Sequence, residues 1–219
     1  MIKAVIFDMD GTVLNTIDDI RASVNYALAQ FNYPLKSLQE IKMGVGNGAY
    51  HLIKTVLPND LEKDVIDEIF KVYQTHYDQY CQVHTKPYKG TLKMLKTLKK
   101  SGYKVGVVSN KYEYLVKALN DEMFESSFDV AIGEVEGIPI KPAPDMLFKA
   151  VKHLNVTADE TVFIGDSETD LKTAKNAKIK VIAVTWGYRD KETLEKYEPE
   201  AMIDDVNDII KTIERISSL

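Results

Sequence analysis

The hydrophobic positions of this chain change period several times, and each change marks a new element. Ile2, Ala4, Val5, Ile6 and Phe7 form a nearly unbroken apolar run. Such a run predicts a short strand buried on both faces, as in a parallel sheet covered by helices. From about 16 to 31 the period becomes helical, with Ile17, Ile20, Val24, Ala27 and Leu28 on one side, Asn15 or Thr16 as the cap and Pro34 as the stop. Ser37 and Glu40 make a capping box for a second, short helix. Gly44, Gly46 and Gly48 interrupt the pattern, a third helix runs up to Leu57 and Pro58, and a long one spans about 60–80. Val65, Ile66, Ile69, Phe70, Tyr73, Tyr77 and Tyr80 line one side of the long helix. Between 15 and 85 nothing reads convincingly as a strand, so this stretch is expected to be a helical unit inserted after the first strand.

Pro87 to Gly90 marks a return to shorter periods. Helices are predicted at about 91–100, stopped by Ser101 and Gly102, and at 113–121, 145–154, 168–177 and 206–216. Between them fall apolar runs at 103–110, 128–132, 161–164 and 180–184. This alternation predicts an α/β fold, a Rossmann-like doubly wound parallel sheet. The expected division is a core made of 1–14 and 86–219 and a helical domain at 15–85. No internal repeat or low-complexity segment stands out.

Composition narrows the class. The 219 residues are 45% hydrophobic and 28% charged, as in ordinary globular proteins. No run reaches the ~18 apolar residues of a membrane span. Cys81 is the single cysteine, so no intrachain disulfide is possible; with no basic leader ahead of the first strand, a reducing cytoplasm is the expected location. A net charge of -5 argues against general nucleic-acid binding. An anionic substrate stays open, because a metal and one or two lysines can reverse the sign locally. Nothing in the pattern sets an oligomeric state.

The candidate chemistry sits where strands end. Asp8 and Asp10, two residues apart, share one side of an extended backbone at the carboxyl end of the first strand, where α/β sheets open to their ligands. Two acids this close repel and ask for a cation, a shared proton, or both. A polar corner turned by Gly11 is the plain alternative. A calcium loop fits poorly, since it wants a third acid and a glycine in sixth position, whereas Gly11 is fourth. An Asp-x-Asp metal pair of a nucleotide-sugar transferase stays open on this segment alone. Ser109 and Asn110 end the next predicted strand, Asp166 and Asp170 follow another, and Lys141 lies in a loop held by Pro142 and Pro144. Each has an ordinary explanation by itself: a helix cap, a solvated charge, a capping turn. Together, at strand ends, they converge on one crevice.

These segments, Asp8-Met9-Asp10-Gly11-Thr12, Val107-Val108-Ser109-Asn110, Lys141-Pro142 and Gly165-Asp166-Ser167-Glu168-Thr169-Asp170, resemble the four motifs of the haloacid dehalogenase-like hydrolases. The helical insert is similar to that superfamily's smaller all-helical cap, and the resemblance covers essentially the whole chain. It implies a Mg²⁺-dependent phosphomonoester hydrolase acting through an aspartyl-phosphate on a small phosphorylated metabolite, as in the phosphoglycolate phosphatase-like group. By the same resemblance Asp8 is the nucleophile, Asp10 the general acid and base, and Lys141 the cation that bridges Asp8 and the phosphoryl group. Asp8, the backbone carbonyl of Asp10 and Asp166 are the implied Mg²⁺ ligands, with Asp170 in the outer shell. Ser109, Asn110 and the Gly11 amide are the implied phosphate holders.

Alternatives inside the superfamily are an inorganic pyrophosphatase and a β-phosphoglucomutase-like phosphotransferase. A non-catalytic phosphometabolite-binding regulator is a different class, disfavoured because a binder needs no acid/base at Asp10. The loop from Gly44 to Gly48 lacks the spacing and preceding strand of a dinucleotide fingerprint, and an inter-helix turn is its plain reading. The resemblance implies that it closes over the leaving group, which makes Gly44, Gly46, Asn47 and Gly48 candidate specificity residues. Two positions depart from the pattern: Asn15 stands where many members carry aspartate, and Tyr112 where the phosphoglycolate phosphatase-like group often has proline. Tyr73, Tyr77 and Tyr80 read as packing, Arg189 as a surface charge, and the four histidines show no metal spacing.

Overall fold

The computed structural model describes residues 1–217. The chain enters at once into β1 (Ala4–Phe7), then a two-residue β2 (Leu14–Asn15) and four helices, α1 (Ile17–Gln30), α2 (Leu38–Gly44), α3 (Ala49–Val56) and α4 (Lys63–Tyr80). It returns through β3 (Lys86–Pro87) into α5 (Thr91–Lys100), β4 (Lys104–Tyr112), α6 (Glu113–Phe124), β5 (Val130–Glu134) and α7 (Asp145–His153). The rest runs β6 (Thr161–Gly165), α8 (Glu168–Ala177), β7 (Lys180–Val184), α9 (Lys191–Glu195), β8 (Ala201–Ile203) and α10 (Ile209–Ser217).

Among the described residues six strands form one parallel sheet in the order β5-β4-β1-β6-β7-β8. The unbroken apolar run of β1 has a direct cause. Val5 and Phe7 enter a core shared with Leu95, Val116 and Ile213 from α5, α6 and α10. Ala4 and Ile6, one residue out of phase, enter a second core with Leu147 and Ala174 from α7 and α8. A strand covered on both faces has no position left for a polar side chain.

Helices α1–α4 pack around their own cluster, including Val24, Leu28, Ile41, Ile53 and Ile69. The Ser37–Glu40 capping box forms, with Ser37 accepting from the Glu40 N–H and Glu40 from the Ser37 N–H. The antiparallel β2–β3 ribbon, Leu14 opposite Pro87 and Asn15 opposite Lys86, carries the chain into this helical layer and out again. Asp19 on α1 is buried and accepts hydrogen bonds from the N–H groups of His84 and Thr85, which ties the outgoing strand to the incoming helix.

Several boundaries differ from the periodicity. The long helix starts at Lys63, because Asn59 and Asp60 after Pro58 favour a turn. Its last residue, Tyr80, does not pack with Tyr73 and Tyr77; it is 48% exposed and lies against His76. Strand β4 continues through Asn110 and Lys111 to Tyr112, which pairs with Glu134 after a register shift. β8 and α9 went unpredicted, being three and five residues long, too short to show a period.

Candidate active site

The sheet order places β1 between β4 and β6, so their carboxyl ends bring Asp8, Ser109 and Asp166 together. The Asp8 N–H donates to the Ile164 carbonyl at 2.8 Å and continues the ladder one residue beyond β1. Its side chain is therefore set by the sheet rather than by a loop.

Lys141 arrives from the loop before α7. Its Nζ lies 2.8 Å from Asp8 Oδ1 and 2.6 Å from Asp170 Oδ1. Asn110 clasps the Lys141 backbone at two points: Oδ1 accepts from the Lys141 N–H at 2.8 Å, and Nδ2 donates to its carbonyl at 2.9 Å. Asp170 is the third residue of α8 and closes a capping box with Ser167, whose hydroxyl donates to Asp170 Oδ2 at 2.6 Å. One carboxylate thus caps a helix with one oxygen and holds the lysine with the other.

Asp166 accepts from the Thr12 hydroxyl at 3.1 Å and from the Tyr188 N–H at 2.7 Å. It is enclosed by glycines. Gly11 has φ of +87° and, like Gly187, leaves no space for a Cβ against the Asp166 carboxylate. The glycine that makes the turn after β1 is also required by packing.

Asp8, Asp166 and Asp170 are all buried, and one oxygen of each lies within 4.8 Å of the others. Burial first, and then the Asp170 charge, raises Asp8 well above the usual carboxylate range and pushes Asp166 up to about 7; Lys141 opposes this at Asp8. Burial would lower Lys141, but Asp170 and Asp8 outweigh it and hold the ammonium above its ordinary range. Apart from the Lys141 ammonium at 2.8 Å, Asp8 Oδ1 meets no hydrogen-bond donor among the described residues. Three buried carboxylates against one ammonium, all hard oxygen donors, with one oxygen unsatisfied, fit a hard divalent cation.

The other candidates fall in different places. Asp10 Oδ1 accepts from the Thr16 hydroxyl at 2.7 Å, which explains why Thr16 does not cap α1 with its side chain. Asp10 Oδ2 lies 3.2 Å from Lys111 Nζ. Ser109 accepts from the Lys111 N–H at 3.3 Å. Gly46 and Gly48 line the cavity over the site, together with Val45 and Leu52 of the helical layer. Gly44 does not: it ends α2 against Leu52 and Thr55. Asn47 is turned toward the core, its Oδ1 accepting from Thr169 at 2.8 Å.

Arg189 is not a surface charge. It is 8% exposed, pairs with Glu168 at 2.7 Å, and donates to the carbonyls of Lys42 and Val45 at 2.6 and 2.7 Å. An arginine from the core thus caps the end of α2, whose last carbonyls have no helical partner. Lys111, Tyr77 and Tyr188 were also missed. Tyr188 bonds the Thr16 N–H at 2.9 Å, and Lys111 donates to Tyr77 at 2.6 Å. The one available signal was a lysine directly after Ser109 and Asn110, inside a run that is otherwise buried.

A parallel sheet with a buried carboxylate cluster and a lysine at its strand ends, beneath a helical layer, can hold a cation and an anionic group side by side. The family model of the haloacid dehalogenase-like hydrolases matches residues 5–184. The chain belongs to that family, and within it the protein is a phosphatase. It is similar to the phosphoglycolate phosphatase of Pseudomonas syringae pv. syringae, at 32% identity over 95% of this chain and 78% of the relative. The phosphoglycolate phosphatase of Colwellia psychrerythraea is 28% identical, with 97% of each chain covered. A solved structure of a provisionally assigned phosphoglycolate phosphatase from Lactobacillus delbrueckii subsp. bulgaricus superposes with a TM-score of 0.92, at 35% identity over 96% of this chain and 98% of that one. Among the described residues no helix is long and apolar enough to cross a membrane.

Proposed function

We propose that the chain is a Mg²⁺-dependent phosphomonoester hydrolase that works through an aspartyl-phosphate on a small phosphorylated acid, 2-phosphoglycolate first. The observation that carries this reading is the buried Asp8 carboxylate, with one oxygen free of hydrogen bonds among the described residues and the Lys141 ammonium 2.8 Å away. Such a group is a fixed nucleophile with its counter-charge in place. Asp8 attacks phosphorus, the bond from phosphorus to the leaving oxygen breaks, and Asp10 gives that oxygen a proton. Asp10 then takes a proton from the water that hydrolyses the phospho-enzyme. Lys141 offsets the charge that builds on the phosphoryl oxygens, held in position by the Asn110 clasp. Ser109 and the Asn110 backbone amide hold those oxygens; the Gly11 N–H, expected to join them, donates instead to the Leu14 carbonyl at 2.8 Å.

Asp8, the Asp10 carbonyl and Asp166 would hold Mg²⁺, with Asp170 behind them. The ion supplies positive charge to the carboxylates and the phosphoryl group. Residues 15–85 act as a cap on the core, and the loop carrying Gly46 and Gly48 covers the leaving group. The names of the relatives and the close approach of that loop to the core both favour a compact substrate.

The test is phosphate release from a panel of phosphorylated metabolites, with and without Mg²⁺. 2-Phosphoglycolate is expected to show the highest kcat/KM. A hexose phosphate or pyrophosphate ahead by tenfold, about 1.4 kcal/mol, overturns the substrate and leaves the chemistry standing. Mg²⁺ is also expected to raise the melting temperature, by the equivalent of roughly 2.7 kcal/mol at a hundredfold excess over Kd. Asp166→Asn should lose most of that shift; an equal shift in the variant moves the ion elsewhere.

A further inference from the structure

Lys111 is the cavity-lining cation that the chemistry above does not use. It is 8% exposed, and its ammonium makes one hydrogen bond, to the Tyr77 hydroxyl at 2.6 Å, and one ion-pair contact, to Asp10 Oδ2 at 3.2 Å. It also stands 4.6 Å from the centre of the Tyr77 ring. An ammonium has three N–H donors, so at least one has no acceptor among the described residues. The other two cations in the wall are committed, Lys141 to Asp8 and Asp170, and Arg189 to Glu168 and the carbonyls of α2. A buried ammonium with a spare donor, in a wall where Val45, Leu52, Tyr73 and Leu115 stand beside Asp10, Gln74 and Asp78, is a place for an anion.

We infer that Lys111 recognises the carboxylate of the leaving group and so sets the preference for phosphorylated acids. The inference rests on the substrate reading above and names the residue that produces it. Its geometry follows from Asp10. If Asp10 meets the ester oxygen, a cation 3.2 Å from Asp10 stands beside the leaving group. In a phosphorylated 2-hydroxy acid the carboxylate carbon is two bonds beyond the ester oxygen, which is within reach of that cation. Lys111 then spans Asp10 and the substrate carboxylate, offsetting the charge of the bound acid and the charge that Asp10 gains once it has given up its proton. Its position on the buried end of β4, with the ammonium anchored on Tyr77, means that little rotamer freedom is lost on binding.

The experiment compares 2-phosphoglycolate with 2-hydroxyethyl phosphate, which has a neutral CH₂OH in place of the carboxylate. Both are measured with wild type, Lys111→Met and Lys111→Arg in the presence of Mg²⁺, with melting curves to verify folding. Wild type is expected to prefer the acid. In Lys111→Met the ratio of kcat/KM, acid over neutral ester, should fall by about thirtyfold, the scale of one charge-assisted hydrogen bond, chiefly through KM. Lys111→Arg should keep an intermediate ratio, and it carries the test if the Met variant does not fold. An equal loss on both substrates would make Lys111 a prop for Asp10 and Tyr77 and overturn the inference, while the acid stays the better wild-type substrate. A wild type that does not prefer the acid removes the substrate reading itself, and this inference with it.

Discussion

The two walls of the crevice are built by different rules. On the core side, Asp8, Asp166 and Asp170 leave the ends of a parallel sheet or the first turn of a helix, and Asp170 and Asp166 are each held by at least two hydrogen bonds. On the opposite side the helical layer offers mostly acceptors: the carbonyls of Lys42, Val45 and Gly46 and the Tyr77 hydroxyl. The core reaches across to them with Arg189, Asn110 and Lys111. The first wall is thus positioned from within, and could not shift without disturbing the sheet. The second is held by a few polar contacts and by Leu115 and Tyr188 of the core, which pack into the helical cluster, a smaller contact of the kind at which hinge motion occurs. Under the proposed function, chemistry falls to the first wall, and selection and access to the boundary where Arg189, Asn110 and Lys111 cross to the second.

Substitutions can break this division, and the largest effect belongs on the core side. Asp8→Asn keeps the shape of the side chain but cannot form an acyl-phosphate, so turnover of an aryl phosphate should fall to the assay background. Removing one buried carboxylate from a cluster of three should leave the melting temperature unchanged or raised in Mg²⁺-free buffer. Substantial turnover by the folded variant would transfer the nucleophile elsewhere.

Lys141→Ala comes next. Turnover should fall by roughly a hundredfold or more, the scale of one preorganised charge-stabilising group. Unlike the Asp8 change, it should also cost stability, because Asp8 and Asp170 lose their buried counter-charge. That loss should be greatest at neutral pH and shrink as falling pH protonates Asp8, whose carboxyl is held above the ordinary range and needs no partner once protonated. A melting temperature equal to wild type at neutral pH would mean that the ion pairs contribute nothing to folding.

The same division explains what could be read from the sequence. Asp8, Ser109 and Asp166 sit where an apolar run stops, with Asp10 just beyond, and that is a local signal; Lys141 is marked instead by Pro142 and Pro144, and Asp170 by its place in the first turn of α8. The Ser167–Asp170 capping box belongs to the same kind. Arg189 and Lys111 carry no such signal. Arg189 meets the Lys42 carbonyl 147 positions away, and the contact depends on how the helical layer lies on the core. Backbone carbonyls accept from any donor, so the pairing leaves no trace in the residue types of α2. Asn47 shows the converse. Its place in a glycine-rich loop suggested a ligand, while its partner is Thr169 on α8. Strand β8 was missed for a plainer reason, that three residues cannot establish alternation.

The smallest effect, and the sharpest test of the second wall, is expected at Arg189. Its guanidinium joins an acidic residue of the core, Glu168, to the end of α2 in the helical layer. Arg189→Met keeps most of the buried stem but leaves two carbonyls and a carboxylate without that donor. Those groups can regain hydrogen bonds to water if the helical layer swings away, so the cost appears in closure more than in folding. KM for a good substrate should rise by about tenfold, one buried charge-assisted contact, with kcat lowered much less. Scattering should show compaction of wild type on adding Mg²⁺ and vanadate, and less in the variant. A fall in kcat as deep as that of Lys141→Ala, with KM unchanged, would place Arg189 on the chemical side of the crevice and erase the division between its walls.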